Sequence, residues 1–172
     1  MQNEIEQKAE QILNESGLRS IPVPIEDIAA HYKLQIGKAT SSDFSGILIR
    51  KDGAALIGIN STDTPRRQRF TIAHEIGHFF LHPTKEVLVD YRRTSNKGAH
   101  RTPKEREADI FAASLLMPRQ ELIKDFMRVA GGVLTDEEQT KNVVSLLATK
   151  YEVSDEAMNI RLLGLSLTEK TK

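Results

Sequence analysis

Thr64-Pro65-Arg66-Arg67-Gln68-Arg69-Phe70-Thr71-Ile72-Ala73-His74-Glu75-Ile76-Gly77-His78-Phe79-Phe80-Leu81-His82-Pro83 is the stretch whose reading decides the fold. Thr64 suits a helix N-cap, Pro65 the first helical position, and Pro83 closes the far end, so the run predicts one helix. Inside it stands His74-Glu75-Ile76-Gly77-His78, with Phe70, Ile72 and Ala73 before and Phe79, Phe80 and Leu81 after. Residues four apart share a helix face, separated by about 6 Å of rise, so two imidazoles there can share one tetrahedral zinc ion. Glu75 lies about 100° around from His74, outside that ligand pair but close enough to reach a water held by the ion. Zinc brings the pKa of such a water toward neutrality, and a carboxylate beside it can carry the proton to a leaving amine. Peptide hydrolysis is the chemistry this pattern suits. The bland reading is two core histidines with a chance glutamate between them; placement in an apolar helix between proline stops favours the metal.

His82 continues the spacing to a third histidine. Eight residues rise about 12 Å, too far for His74 and His82 to share one ion, so His82 is read as a helix-end residue, favourable when charged near the C-terminal dipole. A third ligand has to come from elsewhere, and the chain has no cysteine. Thr102-Pro103-Lys104-Glu105-Arg106-Glu107-Ala108-Asp109 opens a second strong helix that runs through Phe111, Ala112, Leu115 and Leu116 to Met117-Pro118. Glu105 and Asp109 share a face, so one can bind metal while the other accepts a hydrogen bond from a ligand imidazole; Glu107 points roughly the opposite way. Thr102-x-x-Glu105 also fits a capping box, in which Glu105 serves only the helix start.

Outward from these helices the pattern is mixed. Ile5, Ala9, Ile12 and Leu13 recur at helical spacing up to Gly17, and a short helix follows at about Ile25 to Tyr32. Phe44 to Ile49 and Leu56 to Ile59 flank Asp52-Gly53 and read as a β-hairpin, with a further short strand at Val87-Leu88-Val89. Beyond Pro118 the chain reads as helical, with a turn near Val153-Ser154. The fold class is α+β, a mostly helical single domain with a small sheet beside the zinc-site helix. It is expected to span 1–172, with a catalytic core at 1–135 and a C-terminal helical segment at 136–172.

Lysine plus arginine and aspartate plus glutamate are both 24 in 172 residues, so nothing draws the whole chain to nucleic acid or an anionic membrane surface. The absence of cysteine excludes a disulfide scaffold. No apolar run approaches membrane-spanning length and the start is polar, so a soluble cytoplasmic protein is expected.

The stretches Arg69 to His82 and Glu105 to Pro118 resemble the ImmA/IrrE-type metallo-endopeptidases, and Pro22 to Ala29 and Val153 to Met158 extend the likeness more loosely. The resemblance implies one zinc per chain held by His74, His78 and Glu105, with Glu75 as general base and Asp109 as a hydrogen-bond partner behind the ligands. It also implies a protein substrate, a helix-turn-helix transcriptional repressor cut to release mobile-element or stress genes. On this resemblance the stand-alone protease form is expected, with no extra DNA-binding domain before Ile21.

Two other functions compete. A metal-binding regulatory module would act by protein–protein binding without proteolysis. A DNA-binding module is suggested by the helix-turn-helix look of Asn142 to Leu163, yet its final helix offers Arg161 against Asp155 and Glu156, so direct nucleic-acid binding is not expected. The basic segment with Arg92, Arg93, Lys97 and Arg101 reads either as a solvated loop or as a cleft rim, and Tyr91 and His100 are candidates to stabilise an oxyanion. The hairpin Phe44 to Ile59 is expected to present an exposed edge on which substrate pairs.

Overall fold

Four of the five helices described after the hairpin start on a side chain that satisfies an otherwise unpaired backbone N–H, the exception being the one that follows Pro118. In the computed structural model, which describes residues 2–41, 43–83, 87–91, 102–132, 134 and 136–168, Thr64 accepts from the Arg67 N–H and Thr102 from that of Glu105. Asp136 and Ser154 do the same for Gln139 and Ala157. The described residues form α1 (Gln2–Ser16), α2 (Ile25–His31), β1 (Leu34–Ala39), β2 (Phe44–Lys51), β3 (Ala54–Asn60), α3 (Pro65–Leu81), β4 (Val87–Tyr91), α4 (Pro103–Leu116), α5 (Arg119–Ala130), α6 (Glu137–Tyr151) and α7 (Asp155–Gly164). This is the mostly helical α+β fold expected. No helix among the described residues is long and apolar enough to cross a membrane.

The hairpin forms as read. Asp52 and Gly53 both take positive φ, 51° and 79°, the hand of turn that matches the twist of its flanking strands. The hairpin is only the centre of a four-stranded sheet ordered β1-β3-β2-β4, with β1 parallel to β3 and β4 antiparallel to β2. That corrects the expectation of an exposed hairpin edge: β3 is covered by β1, and β2 by β4 along Phe44 to Ile49. The outer strands of the sheet are β1 and β4.

Alternation along β3 puts Ala55, Ile57 and Ile59 inside and leaves Leu56 partly exposed. That inner face meets α3, whose Ile72, Ala73 and Ile76 belong to the same core, and α4 lies against α3. The two helices touch closely at Gly77, where a Cβ would lie 3.3 Å from the Ala108 Cα and 3.0 Å from the Phe111 ring. Helix α1 covers α4 with Ile5, Ala9, Ile12 and Leu13. Arg161 of α7 is buried, bonded to Glu6 of α1 and to the Met117 carbonyl at the end of α4. The one cation of the final helix, Arg161, is thus engaged inside the molecule. The basic residues Arg92, Arg93, Lys97 and Arg101, and His100, lie outside the described residues, as does the side chain of Tyr91.

Candidate metal centre

His74, Glu75 and His78 are all buried in the middle of α3. Their imidazoles converge: the two Nε2 atoms are 3.0 Å apart, and both face the carboxylate of Glu105. Glu105 Oε2 stands 3.1 Å from His74 Nε2 and Oε1 3.3 Å from His78 Nε2. Thr102 does cap α4 through the Glu105 N–H, but the Glu105 carboxylate points to the histidines. The structure therefore brings together the three residues singled out for metal, with one donor atom from each within 4.8 Å of the others.

The second nitrogen of each imidazole is also accounted for. His74 Nδ1 lies 3.1 Å from Asp109 Oδ1, and since a carboxylate only accepts, Nδ1 carries a proton and Nε2 is the nitrogen turned to the centre. His78 Nδ1 lies 2.9 Å from His82 Nδ1, whose Nε2 is 2.8 Å from Glu107 Oε2. His82 is the C-cap residue of α3, at the helix end as read, and its ring is buried against His78. Glu107, read as pointing away from the site, turns from Glu105 as expected and meets His82 instead.

The electrostatics suit a cation. Burial works against charging His74, but hydrogen bonds to Asp109 and Glu105 outweigh it, and its pKa is pushed up to about 10. Burial lowers that of His78, with Glu105 opposing. The two histidines hold Glu105 far below the usual carboxylate range. The proton that His74 keeps stands among nitrogen and oxygen donors where a metal ion would replace it. Two imidazoles and a carboxylate are the donor set of an open tetrahedral site, so the residues fit the group.

Glu75 is fully buried, and β2 presses on it at a glycine. A Cβ built on Gly46 would lie 2.4 Å from Glu75 Oε1 and 2.5 Å from Thr71 Cγ2. The β2–β4 register shifts between Phe44 and Gly46, so Ser45 is an inserted residue, and its hydroxyl accepts from Arg67 on α3. Arg50 of the same strand donates to the carbonyls of His78 at 2.8 Å and Phe79 at 3.1 Å, placing a cation on the C-terminal turn of α3. Sequence reasoning missed Gly46, Arg50 and the His82–Glu107 pair. A lone glycine inside a strand pattern was a signal for the first, since it marks close backbone approach. A cleft of about 380 Å³ opens beside Asp109, bordered by Phe70, Arg67, Ala113 and, on α7, Ile160.

An α+β domain with a buried histidine pair on one helix and a carboxylate from the next has the form of a metallopeptidase domain. The family model described as the IrrE N-terminal-like domain matches residues 32–163, and the chain belongs to that peptidase family. It is similar to the radiation response metalloprotease IrrE of Deinococcus radiodurans, 31% identical over 145 residues that cover 76% of this chain and 42% of that protein. The protein of the same name from Deinococcus deserti is 36% identical over 110 residues, covering 61% of this chain and 36% of the relative. The chain thus spans about two-fifths of the length of these curated relatives. A Mycobacterium tuberculosis transcriptional regulator shares the fold with a TM-score of 0.61 at 14% identity, over 91% of this chain and 45% of that one.

Proposed function

We propose that this protein is a zinc-dependent endopeptidase acting on a helix-turn-helix transcriptional repressor in the cytoplasm, with 1–135 as catalytic core and 136–172 as a helical segment of the same domain. In this reading His74, His78 and Glu105 hold one zinc ion, Glu75 is the general base, and Asp109 orients His74. The observation that carries it is the convergence of both Nε2 atoms on the Glu105 carboxylate, with Asp109 fixing the outer nitrogen of one ring. Zinc, when bound, supplies Lewis acidity toward the scissile carbonyl and makes water acidic at neutral pH. Glu75 takes a proton from the attacking water on its carboxylate and delivers it to the amine nitrogen as the C–N bond breaks and the new C–O bond forms. The sheet and α3 close around Glu75 and exclude other water from it. The cleft at Phe70, Ala113 and Ile160 accepts a substrate side chain next to the scissile bond. The repressor as substrate is supported by the family resemblance alone.

The test is cleavage of the repressor encoded nearest this gene by zinc-loaded protein, beside Glu75→Gln. The variant is expected to keep stoichiometric zinc and lose cleavage by at least ~10²-fold. Wild-type cleavage by Glu75→Gln would remove Glu75 from the role. Zinc binding without cleavage of any repressor by the wild type would favour a regulatory module that acts by binding.

A further inference from the structure

Beyond the three donors, a second chain of buried contacts runs from His78 to the edge of α4. We propose that His82 and Glu107 are positioning residues that fix the tautomer of His78 and so aim its Nε2 lone pair at the metal. The inference rests on the reading that His78 is a ligand.

The chemistry has one consistent direction. Glu107 Oε2, 2.8 Å from His82 Nε2, can only accept, so His82 carries its proton on Nε2. Nδ1 is then the accepting nitrogen of His82, and the contact of 2.9 Å pairs it with a proton on His78 Nδ1. With that proton placed, His78 Nε2 is left bare on the side of His74 and Glu105. Were His78 to hold its proton on Nε2 it would donate to Glu105, and no lone pair would face the centre. Its burial, with 2% of its surface exposed, leaves water little part in that choice, and His82 at 5% is equally enclosed. The arrangement repeats what Asp109 does for His74 in a single step, except that here an imidazole relays the instruction from the carboxylate. The same turn of α4 serves both ends, since Glu105 and Glu107 leave the helix on opposite sides, Glu105 meeting His74 and His78 and Glu107 meeting His82 one turn further along α3.

Carboxylates and carbonyls behind metal-bound histidines are worth about 10- to 100-fold in metal affinity. The experiment uses the full chain, stripped of metal and titrated with Co(II) against a chelator, and imidazole nitrogen NMR of the metal-free protein at about pH 8, above the ordinary histidine range. We expect His78 protonated on Nδ1 and His82 on Nε2 in the wild type. His82→Leu should bind Co(II) about 10- to 100-fold more weakly with an altered visible spectrum. His82→Asn, which restores an acceptor near the Nδ1 position, should recover much of that loss. Glu107→Ala, at a partly exposed position that folding tolerates, should weaken binding and raise the share of His78 protonated on Nε2. His78 protonated on Nε2 in the wild type, or unchanged Co(II) affinity and spectrum in both His82→Leu and Glu107→Ala, would overturn the proposal. His78→Ala separates the two readings. If it retains Co(II), the site assignment fails and the relay with it; if it loses Co(II) while the relay variants do not, the relay alone fails.

Discussion

Gly46→Ala is the sharpest probe of how β2 and α3 share the site. The added Cβ would sit 2.4 Å from Glu75 Oε1 and 2.5 Å from Thr71 Cγ2, where real Cβ contacts stay above 3.0 Å and relax near 3.4 Å. The gap must therefore widen by at least 0.6 Å, and by 1.0 Å for ordinary contact. Neither side yields easily, because β2 is paired to β3 on one edge and β4 on the other, and α3 is clamped between the sheet and α4. Overpacking of this kind destabilises by about 1–3 kcal/mol. A displacement of about 1 Å at a catalytic group can cost ~10²-fold in rate, so activity should suffer more than folding. The expected result is a folded variant with unchanged metal content, stability lower by that amount in urea titration, and peptidase activity down about 10²-fold. Gly37→Ala is the control, since its Cβ would meet only Leu56 Cδ1 at an ordinary 3.6 Å. Full activity in Gly46→Ala would show that Glu75 does not depend on this strand and would refute the reasoning.

Gly77→Ala brings a Cβ to 3.0 Å from Phe111 and 3.3 Å from Ala108, so α4 must give by a few tenths of an ångström. The helix-propensity gain of about 1 kcal/mol offsets much of the packing loss, so stability should change little while metal affinity, read by chelator competition, falls several-fold. The raised pKa of His74 has a sign that can be read in two ways. In the metal-free protein its stabilising contribution is complete below 6.5 and disappears as pH climbs to about 10, so thermal stability should decline across that window. Metal must displace that proton, so affinity should rise over the same window, with about one proton released per ion near neutral pH in calorimetry across buffers; a pH-independent affinity would contradict both. Ile160→Glu, at a position 61% exposed on the cleft wall, should leave folding and metal content within experimental error and weaken cleavage of a substrate with an apolar residue at that place. Equal cleavage would remove the cleft from substrate binding.

The helices of the site were legible because their stops are written in the chain: Thr64-Pro65 and Pro83 bound α3, Thr102-Pro103 and Pro118 bound α4, and both helices begin and end within a residue or two of those marks. Helical geometry put Glu105 and Asp109 on one face as candidates, while the choice of Glu105 as ligand, over Glu107, leaned on the family resemblance. Strand β1 went unread because Leu34-Gln35-Ile36-Gly37 is too short an alternation to stand out, and its pairing with β3 is parallel and non-local, which no turn residue announces. The hairpin's edges were misjudged for the same reason, since coverage of an edge depends on strands distant in sequence. His82 was set aside as a ligand by its eight-residue rise from His74, yet its i, i+4 spacing from His78 places the two rings in contact.

The bond between Arg161 and Glu6 bears on where this protein begins as a physical object. The family model matches from residue 32, leaving all of α1 outside the matched stretch. Yet α1 supplies the carboxylate that meets a guanidinium exposed by only 6%, and four apolar side chains that roof α4. Trimming the chain to the matched stretch would remove both that carboxylate and the apolar cover of α4, from a fold whose total stability, as for whole domains, is only about 5–15 kcal/mol. Helix α1, which the family model leaves out, is therefore part of what holds α4 in place, and the matched stretch and the packed core have different borders.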